Sequence, residues 1–139
     1  MNAPFGRWRM GFVTILDEAA SGEKSGARNL EISNERVTLR DLIQQRIRQE
    51  VEEFNRNQSD VFCGLIQPTD AERVLNGYRL KARRQLSWEN QYEKALEAFK
   101  HNGFFVIIDG KQVETLDEVL PLRETSEVHF LKLVPLVGG

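Results

Sequence analysis

The sequence contains few of the side chains that metal and redox sites use. Its 139 residues include one cysteine, Cys63, and two histidines, His101 and His129. A single cysteine cannot form an internal disulfide and favours a reducing compartment, and these residues are too few for a Cys/His zinc site. We therefore expect no metal ion, no cofactor held by this chain, and a cytoplasmic location.

Long apolar runs and a large net charge are also missing. No run approaches the roughly 20 residues of a membrane-spanning helix, and the N-terminus lacks the apolar region of a signal peptide. The formal net charge of −2 gives the chain no basic field that would attract nucleic acid. We expect a soluble protein without a membrane or nucleic-acid partner.

The first part of the sequence predicts two strands and a helix. Residues 1–8 show no period and are expected to form a loose lead-in. Alternating apolar residues predict strands at Arg9–Asp17 and Leu30–Val37, joined as an antiparallel hairpin. Thr38 and Asp41 have the spacing of a capping box, and the apolar stripe that follows predicts a helix of about 18 residues.

Residues 55–102 are predicted to be an insertion between this helix and the next strand. A short helix is predicted at Ala71–Leu75, closed by Gly77. Ser87 is expected to cap a second, longer helix that ends before Gly103.

The remaining sequence predicts strands again. Phe104–Ile108 is a continuous apolar run. Asp109-Gly110 is the strongest short hairpin signal, because a type I′ turn needs positive φ at both central residues. A short strand returns at 111–113, a single helical turn is predicted at Leu116–Leu120, and Ser126–Val134 is the last predicted strand.

This order of elements predicts an α+β domain with a mixed sheet and one crossing helix. The domain is expected to span residues 9–134, with its first and last strands side by side at the sheet centre because they are the most apolar. Residues 135–139 would then form an exposed tail, in which Pro135 ends the pairing of the last strand. Gly138 and Gly139 have no Cβ, so the end of this tail can thread a channel too narrow for side chains.

The last part of the chain resembles ubiquitin, whose fold is the β-grasp. The resemblance lies in the apolar strand followed by Asp109-Gly110-Lys111-Gln112-Val113, the Thr115-Leu116-Asp117-Glu118 turn, the strand Glu127–Leu131 with its histidine, and the closing Gly138-Gly139. The tail is also similar to that of the small sulfur carriers of molybdopterin and thiamine synthesis. The resemblance implies a ubiquitin-like β-grasp sheet with a helical insertion.

This resemblance also implies that the chain is a protein substrate and not an enzyme, with no catalytic residue of its own. The Gly139 carboxylate would be adenylated by an activating enzyme, which uses ATP, and would then be conjugated to a target amine. Gly138 and the tail residues Pro135, Leu136 and Val137 would enter that enzyme. The implied partners are an activating enzyme, a conjugating enzyme, a deconjugating peptidase and a target protein.

Two departures bear on the system that the chain would serve. Relatives of this kind pass from helix to strand in a few residues, where this chain has residues 55–102. The tail lacks the arginines that precede the glycines in ubiquitin and has Pro135 and Val137 near those positions. The resemblance therefore implies a bacterial ubiquitin-like pathway with its own enzymes. Whether the native protein ends at Gly139 or is processed to it is left open.

The resemblance implies a docking patch and an acceptor lysine as well. Ile107, His129 and Leu131 are predicted on one outer face of the sheet and match the surface through which ubiquitin binds partners. The alternative for Ile107 and Leu131 is burial under the insertion. Lys111 matches a lysine that accepts a second ubiquitin, and its alternative is a solvated residue at the hairpin tip.

Other chemically capable residues have simpler interpretations. Cys63 lies in an apolar run without a neighbouring base, which favours a small buried residue over a nucleophile. The basic run Arg79–Arg84, with Trp88 and Tyr92 nearby, could contact nucleic acid, but a solvated edge explains it better. Three acids are expected on the surface of the first helix: Glu50, Glu52 and Glu53.

Three functions are open from the sequence. The first is a ubiquitin-like modifier, and the second is a sulfur carrier whose carboxylate becomes a thiocarboxylate. The third is a β-grasp interaction module whose Gly-Gly is never activated. The insertion disfavours the second because such carriers are compact, and the closing Gly-Gly disfavours the third.

Overall fold

The structure is a computed structural model, and it describes residues 11–19, 22, 24–32, 36–75, 77–123 and 125–133. The lead-in predicted at 1–8 lies outside the described residues. The elements are β1 (Gly11–Ala19), β2 (Lys24–Ile32), α1 (Leu39–Asn57), β3 (Val61–Phe62), β4 (Ala71–Val74), β5 (Gly77–Leu80), α2 (Trp88–Lys100), β6 (Phe104–Ile108), β7 (Lys111–Val113) and β8 (Glu127–Lys132). The chain divides into two compact units, the first made of Met1–Leu42 with Ala98–Gly139 and the second of Ile43–Glu97.

The first unit contains a five-stranded sheet in the order β2-β1-β8-β6-β7. β1 and β8 run parallel, and the other neighbouring strands run antiparallel. A parallel pair needs a long connection, which the chain between β1 and β8 supplies. The predicted α+β class, the mixed sheet and the central pairing of the first and last strands are therefore confirmed.

Alternate residues of the central strands point to opposite faces of this sheet. On the inner face, Val13 and Ile15 of β1 are 1% exposed, and Val128 and Phe130 of β8 are 0% exposed. Val106 of β6 lies opposite Phe130 and is also fully buried. The side chains between these positions point to the other face, which we call the outer face.

β2 begins and ends earlier than the sequence pattern predicts, since it spans Lys24–Ile32 and not Leu30–Val37. Its antiparallel register with β1 places Leu30 opposite Val13 and Ile32 opposite Gly11. The polar residues before Leu30 show no clear alternation. They pair with β1 nonetheless, because main-chain hydrogen bonds do not require apolar side chains.

The first turn of α1 is closed by the predicted capping box, which is confirmed. The Thr38 Oγ1 accepts a hydrogen bond from the Asp41 amide at 3.1 Å. The Asp41 carboxylate in turn accepts one from the Thr38 amide at 3.1 Å. Two of the donors near the helix start are thereby satisfied within four residues of sequence.

The helical turn that the sequence predicts at Leu116–Leu120 is wrong. The carbonyls of Leu116 and Glu118 accept hydrogen bonds from the first amides of α1 at 2.8 and 3.2 Å. Val119 forms a β-bridge with Thr38. The carbonyls of this segment bond α1 and not one another, because the first amides of a helix have no acceptor within that helix.

The second unit contains a three-stranded antiparallel sheet in the order β3-β5-β4. The helix predicted at Ala71–Leu75 is wrong, since Ala71–Val74 forms β4 and Gly77 begins β5. Asp70, just before β4, has a positive φ of 57°. A Cβ on Gly77 would lie 2.5 Å from the Phe62 carbonyl oxygen, so glycine is required where β5 passes β3.

α2 begins and ends as the sequence predicts. The Ser87 Oγ accepts a hydrogen bond from the Asn90 amide at 3.2 Å and caps the first turn. At the other end, the Gly103 amide donates to the Ala98 carbonyl at 2.7 Å. Both caps are local, and their residue types are those that helix ends favour.

The buried side of α2 agrees with the sequence pattern only in part. The apolar spacing predicts an inner side made of Trp88, Tyr92, Ala95, Leu96 and Phe99, but of these only Ala95 is buried and the others are half-buried. Gln91 and Ala95 are the buried residues of the helix. The Gln91 side chain can be buried because its Nε2 donates to the Ile66 carbonyl at 2.8 Å.

Candidate functional site

The predicted conjugation site and tail lie outside the described residues: Pro135, Leu136, Val137, Gly138 and Gly139. The strand that precedes them is described. β8 lies between β1 and β6, and after it the Leu133 amide donates to the Gly103 carbonyl at 3.1 Å. The chain is therefore bonded to a neighbouring segment as far as Leu133.

The structure places the predicted docking residues together on the outer face. His129 lies opposite Ile107 across the β6–β8 pair and opposite Leu16 across the β1–β8 pair. Leu131 lies opposite Phe105. Cross-strand neighbours on one face lie about 5 Å apart at Cβ, so these side chains form one contiguous surface.

Phe12 extends this surface along β1 and is 58% exposed. Ile107 and Leu131 are half-buried. We call the six residues the outer-face patch: Phe12, Leu16, Phe105, Ile107, His129 and Leu131.

The imidazole of His129 lies between two carboxylates. Its Nδ1 is 3.1 Å from Glu18 Oε2, and its Nε2 is 3.5 Å from Glu127 Oε1. The two contacts orient the ring, which is 29% exposed. The result is a polar centre within an apolar surface.

Lys111 lies at the start of β7, beside the predicted tight turn. Asp109 and Gly110 have φ values of 48° and 85°, so both central residues are positive as a type I′ turn requires. The turn is confirmed. Lys111 is exposed at this tip, where its amine is accessible to an acylating enzyme.

Cys63 is exposed, so the prediction of a small buried residue is wrong. Its two neighbours occupy the interior. Phe62 is 1% exposed, and a Cβ on the buried Gly64 would lie 2.2 Å from the Phe62 ring. The ring of Phe62 therefore fills the space beside Gly64, and the side chain between them points outward.

Contacts within the second unit engage the basic run and the aromatic residues near it. Arg83 forms an ion pair with Asp60 at 2.9 Å. The Arg48 guanidinium lies 5.1 Å from the centroid of the Trp88 ring, over a face on which a base would stack. These contacts argue against a nucleic-acid surface here.

Sequence reasoning missed a buried ion pair in α1. Glu50, expected on the surface, is 3% exposed, and Arg46 is 1% exposed. Arg46 Nε lies 2.9 Å from Glu50 Oε2, and Glu50 Oε1 accepts a hydrogen bond from the Leu65 amide at 3.2 Å. The signal was present, because both residues continue the apolar stripe of Ile43 and Ile47 at helical spacing.

Two concavities are lined in part by residues with partners, and the second borders the patch at Phe105. One, of about 220 Å³, includes Asn55, whose side chain bonds both the amide and the carbonyl of Leu86. The other, of about 440 Å³, includes Arg40 and Asp117, which pair at 3.1 Å.

The part of the chain that the structure describes shows neither a metal site nor a membrane-spanning helix. Among those residues, no group of three or more His, Cys, Asp and Glu side chains is placed to hold a metal ion. No described helix is long and apolar enough to cross a membrane.

No protein family model, no curated protein and no solved structure matches the chain. The resemblance of the last strands and tail to ubiquitin therefore stays a prediction. What the chain does has to be inferred from its residues and their geometry.

Proposed function

We propose that the chain is a ubiquitin-like protein modifier with a β-grasp fold, acting in the bacterial cytoplasm. Gly139 supplies the carboxylate that is activated, either directly or after removal of residues that follow it. The chain is not itself an enzyme. It is the substrate of an activating enzyme, a conjugating enzyme and a deconjugating peptidase, and its carboxylate is joined to an amine of a target protein.

The strand order of the first unit carries this proposal. A hairpin, β1–β2, is followed in the chain by α1, and β8 then lies parallel to β1 at the sheet centre. This order is what the β-grasp fold requires. It supports the proposal because the residues after Leu133 leave from a strand that is held on both sides.

The outer-face patch supports a docking role. Ordering flexible residues costs about 1–2 kcal/mol each, so a bound tail needs contacts elsewhere that offset this loss. The patch offers exposed and half-buried apolar side chains around His129 on strands of the same sheet. A partner enzyme would bind this surface while the tail enters its active site.

The proposed chemistry needs only the carboxylate of this chain. An oxygen of the Gly139 carboxylate attacks the α-phosphorus of ATP, the bond to the bridging oxygen breaks, and pyrophosphate leaves. An enzyme thiolate then attacks the acyl carbon and AMP leaves. Finally the target amine attacks the thioester and loses a proton to an enzyme base, and the thiolate leaves as the isopeptide bond forms.

The test is to incubate the full chain with ATP and the activating enzyme encoded in the same genome, and to measure intact masses. We expect an acyl-adenylate or an enzyme thioester, and isopeptide products once the conjugating enzyme is added. The control is deletion of Gly138 and Gly139. It should abolish these products, and thermal unfolding of the shortened chain would verify that it is still folded.

Other outcomes separate the alternatives. Exchange of one oxygen for sulfur at the terminus, without isopeptide products, would assign a sulfur carrier. Partner binding that is independent of ATP and unaffected by the deletion would assign an interaction module. Lys111→Arg tests the acceptor prediction, since it should remove only those products in which one copy is linked to another through this lysine.

A further inference from the structure

Two cations of the second unit converge on one exposed threonine. The Lys94 Nζ, from α2, donates a hydrogen bond to Thr69 Oγ1 at 2.6 Å. The Arg84 guanidinium donates to the carbonyl oxygen of the same residue. Thr69 lies in the turn that leads into β4 and is exposed, so an enzyme can reach its hydroxyl.

The positive charge at Thr69 has no carboxylate partner among the described residues. Neither Lys94 nor Arg84 takes part in an ion pair there, whereas the adjacent Arg83 pairs with Asp60 at 2.9 Å. A hydroxyl and a carbonyl are neutral acceptors, so they leave the charges of Lys94 and Arg84 uncompensated, whereas an anionic acceptor would also attract both cations. Two cations at this position are therefore better matched to an anion than to the unmodified threonine.

We propose that Thr69 is a phosphorylation site whose phosphate is held by Arg84 and Lys94. In the reaction, Thr69 Oγ1 attacks the γ-phosphorus of a nucleoside triphosphate, and the bond from that phosphorus to the bridging oxygen breaks. The nucleoside diphosphate leaves, and the hydroxyl proton passes to a base of the kinase. The bound phosphate carries a charge of about −1.5 to −2 at neutral pH and three acceptor oxygens, enough to bond both cations.

Other hydroxyls of the chain show the contrast. Those of Thr38 and Ser87 already cap helices, and Ser126 is 2% exposed. Thr115 is also exposed, and acids stand on both sides of it at Glu114 and Asp117. Thr69 has acids on one side only, Asp70 and Glu72, and it is bonded by two cations. Thr115 is therefore the control for Thr69, since it has similar access and no lysine or arginine bonded to it among the described residues.

The test is to incorporate phosphothreonine by genetic encoding at position 69 or at position 115 of the full chain, and to titrate each phosphate by phosphorus NMR. Cations that bond the dianion favour it over the monoanion. We therefore expect the second pKa of the phosphate at position 69 to lie about half a unit or more below that at position 115. Arg84→Gln with Lys94→Gln should remove the difference, and circular dichroism would verify that this variant is folded.

Equal pKa values at the two positions, or a difference that survives Arg84→Gln with Lys94→Gln, would overturn the proposed phosphate clamp. Phosphopeptide mapping of the protein isolated from its own cells is the second arm of the test. Phosphate on Thr69, lost from the Thr69→Val variant, supports the assignment. Phosphate at other hydroxyls and not at Thr69, or none at all in growing and starved cells, contradicts it. Neither arm depends on Gly139.

Discussion

Arg46 and Glu50 form a buried ion pair in the second unit, with both side chains 1% exposed and Nε and Oε2 2.9 Å apart. Removing one member of such a pair leaves the other charge buried without compensation, which costs about 3–5 kcal/mol. We expect Arg46→Met to lower the free energy of unfolding by this amount. Denaturant unfolding followed by circular dichroism measures it.

The same helix provides the matched control. Arg48 and Glu52 have the same spacing, but their side chains are 55% and 51% exposed, so Arg48→Met should cost about 1 kcal/mol or less. Arg46→Met with Glu50→Gln should recover much of the loss, because glutamine is uncharged and keeps an oxygen for the Leu65 amide. A loss for Arg46→Met no larger than that for Arg48→Met would contradict the prediction.

Tyr78 gives a prediction on alkaline stability. Burial raises the pKa of the Tyr78 hydroxyl above its ordinary value of 10.0, while the nearby charge of Arg73 lowers it and that of Glu50 raises it. The Tyr78 hydroxyl therefore loses its proton at lower pH in the unfolded chain than in the folded one. The contribution of neutral Tyr78 is fully present below pH 10.0 and is lost as the pH rises through the folded pKa.

We expect the wild type to lose stability above this pH more steeply than Tyr78→Phe, which has no proton to release. Denaturant unfolding at a series of pH values measures the difference. Absorbance titration of tyrosinate in the folded protein, wild type minus Tyr78→Phe, reports the Tyr78 pKa directly. A value at or below the ordinary one would contradict the expectation.

At the scale of an element, the β6–β7 hairpin tests turn chemistry alone. Gly110 has φ +85° and no atom within 4 Å of the position that a Cβ would take, so a side chain there meets only backbone strain. We expect Gly110→Ala to lower the free energy of unfolding by about 1 kcal/mol, and Gly110→Asn to lower it by less, because asparagine adopts positive φ more readily. Denaturant unfolding measures both variants. Equal losses of unfolding free energy for Gly110→Ala and Gly110→Asn would indicate that the positive φ does not control the stability of this turn.

Elements whose hydrogen bonds are local could be predicted from the sequence. The capping box at Thr38 and the Asp109-Gly110 turn depend on residues a few positions apart, and both are confirmed. The strand Phe104–Ile108 is also confirmed, although it pairs with the distant β8, because its continuous apolar run favours a buried strand. The helix predicted at Ala71–Leu75 is wrong because β4 depends on its pairing with β5. The turn at Leu116–Leu120 is wrong because its carbonyls bond the distant start of α1. The residue pattern within one segment gives no information about either of these contacts with a distant segment.

At the scale of the whole molecule, one part of the outer-face patch could be predicted from local pattern, and another part depends on the pairing of distant strands. The two-residue period of strands predicts that Ile107, His129 and Leu131 share a face. Leu16 joins them only because β1 and β8 pair in parallel register, and no pattern within β1 shows that register. Phe12 follows on the same face of β1, beyond the residues that pair with β8. The surface could therefore be predicted in part, whereas its full extent follows from the sheet order.

Two neighbouring residues of β6 point to opposite faces of the sheet, so their substitution tests stability and partner binding separately. Ile108 points to the inner face and is 3% exposed, so Ile108→Ala should leave a cavity and lower the free energy of unfolding by about 2–5 kcal/mol. Ile107 belongs to the outer-face patch and is half-buried, so Ile107→Ala should lower it by only about 1 kcal/mol. Denaturant unfolding of the two variants measures the difference, and equal losses would contradict the assignment of faces.

The same two variants test whether the outer-face patch docks the activating enzyme. A side chain at the centre of an interface contributes about 1–2 kcal/mol or more, so Ile107→Ala should raise the KM for this chain in adenylation about tenfold at unchanged kcat. Ile108→Ala, assayed well below its unfolding temperature, should keep the wild-type KM because its side chain does not reach the surface. A wild-type KM for Ile107→Ala would exclude this part of the patch from docking. An equal rise for both variants would mean that destabilisation, and not a lost contact, weakens binding.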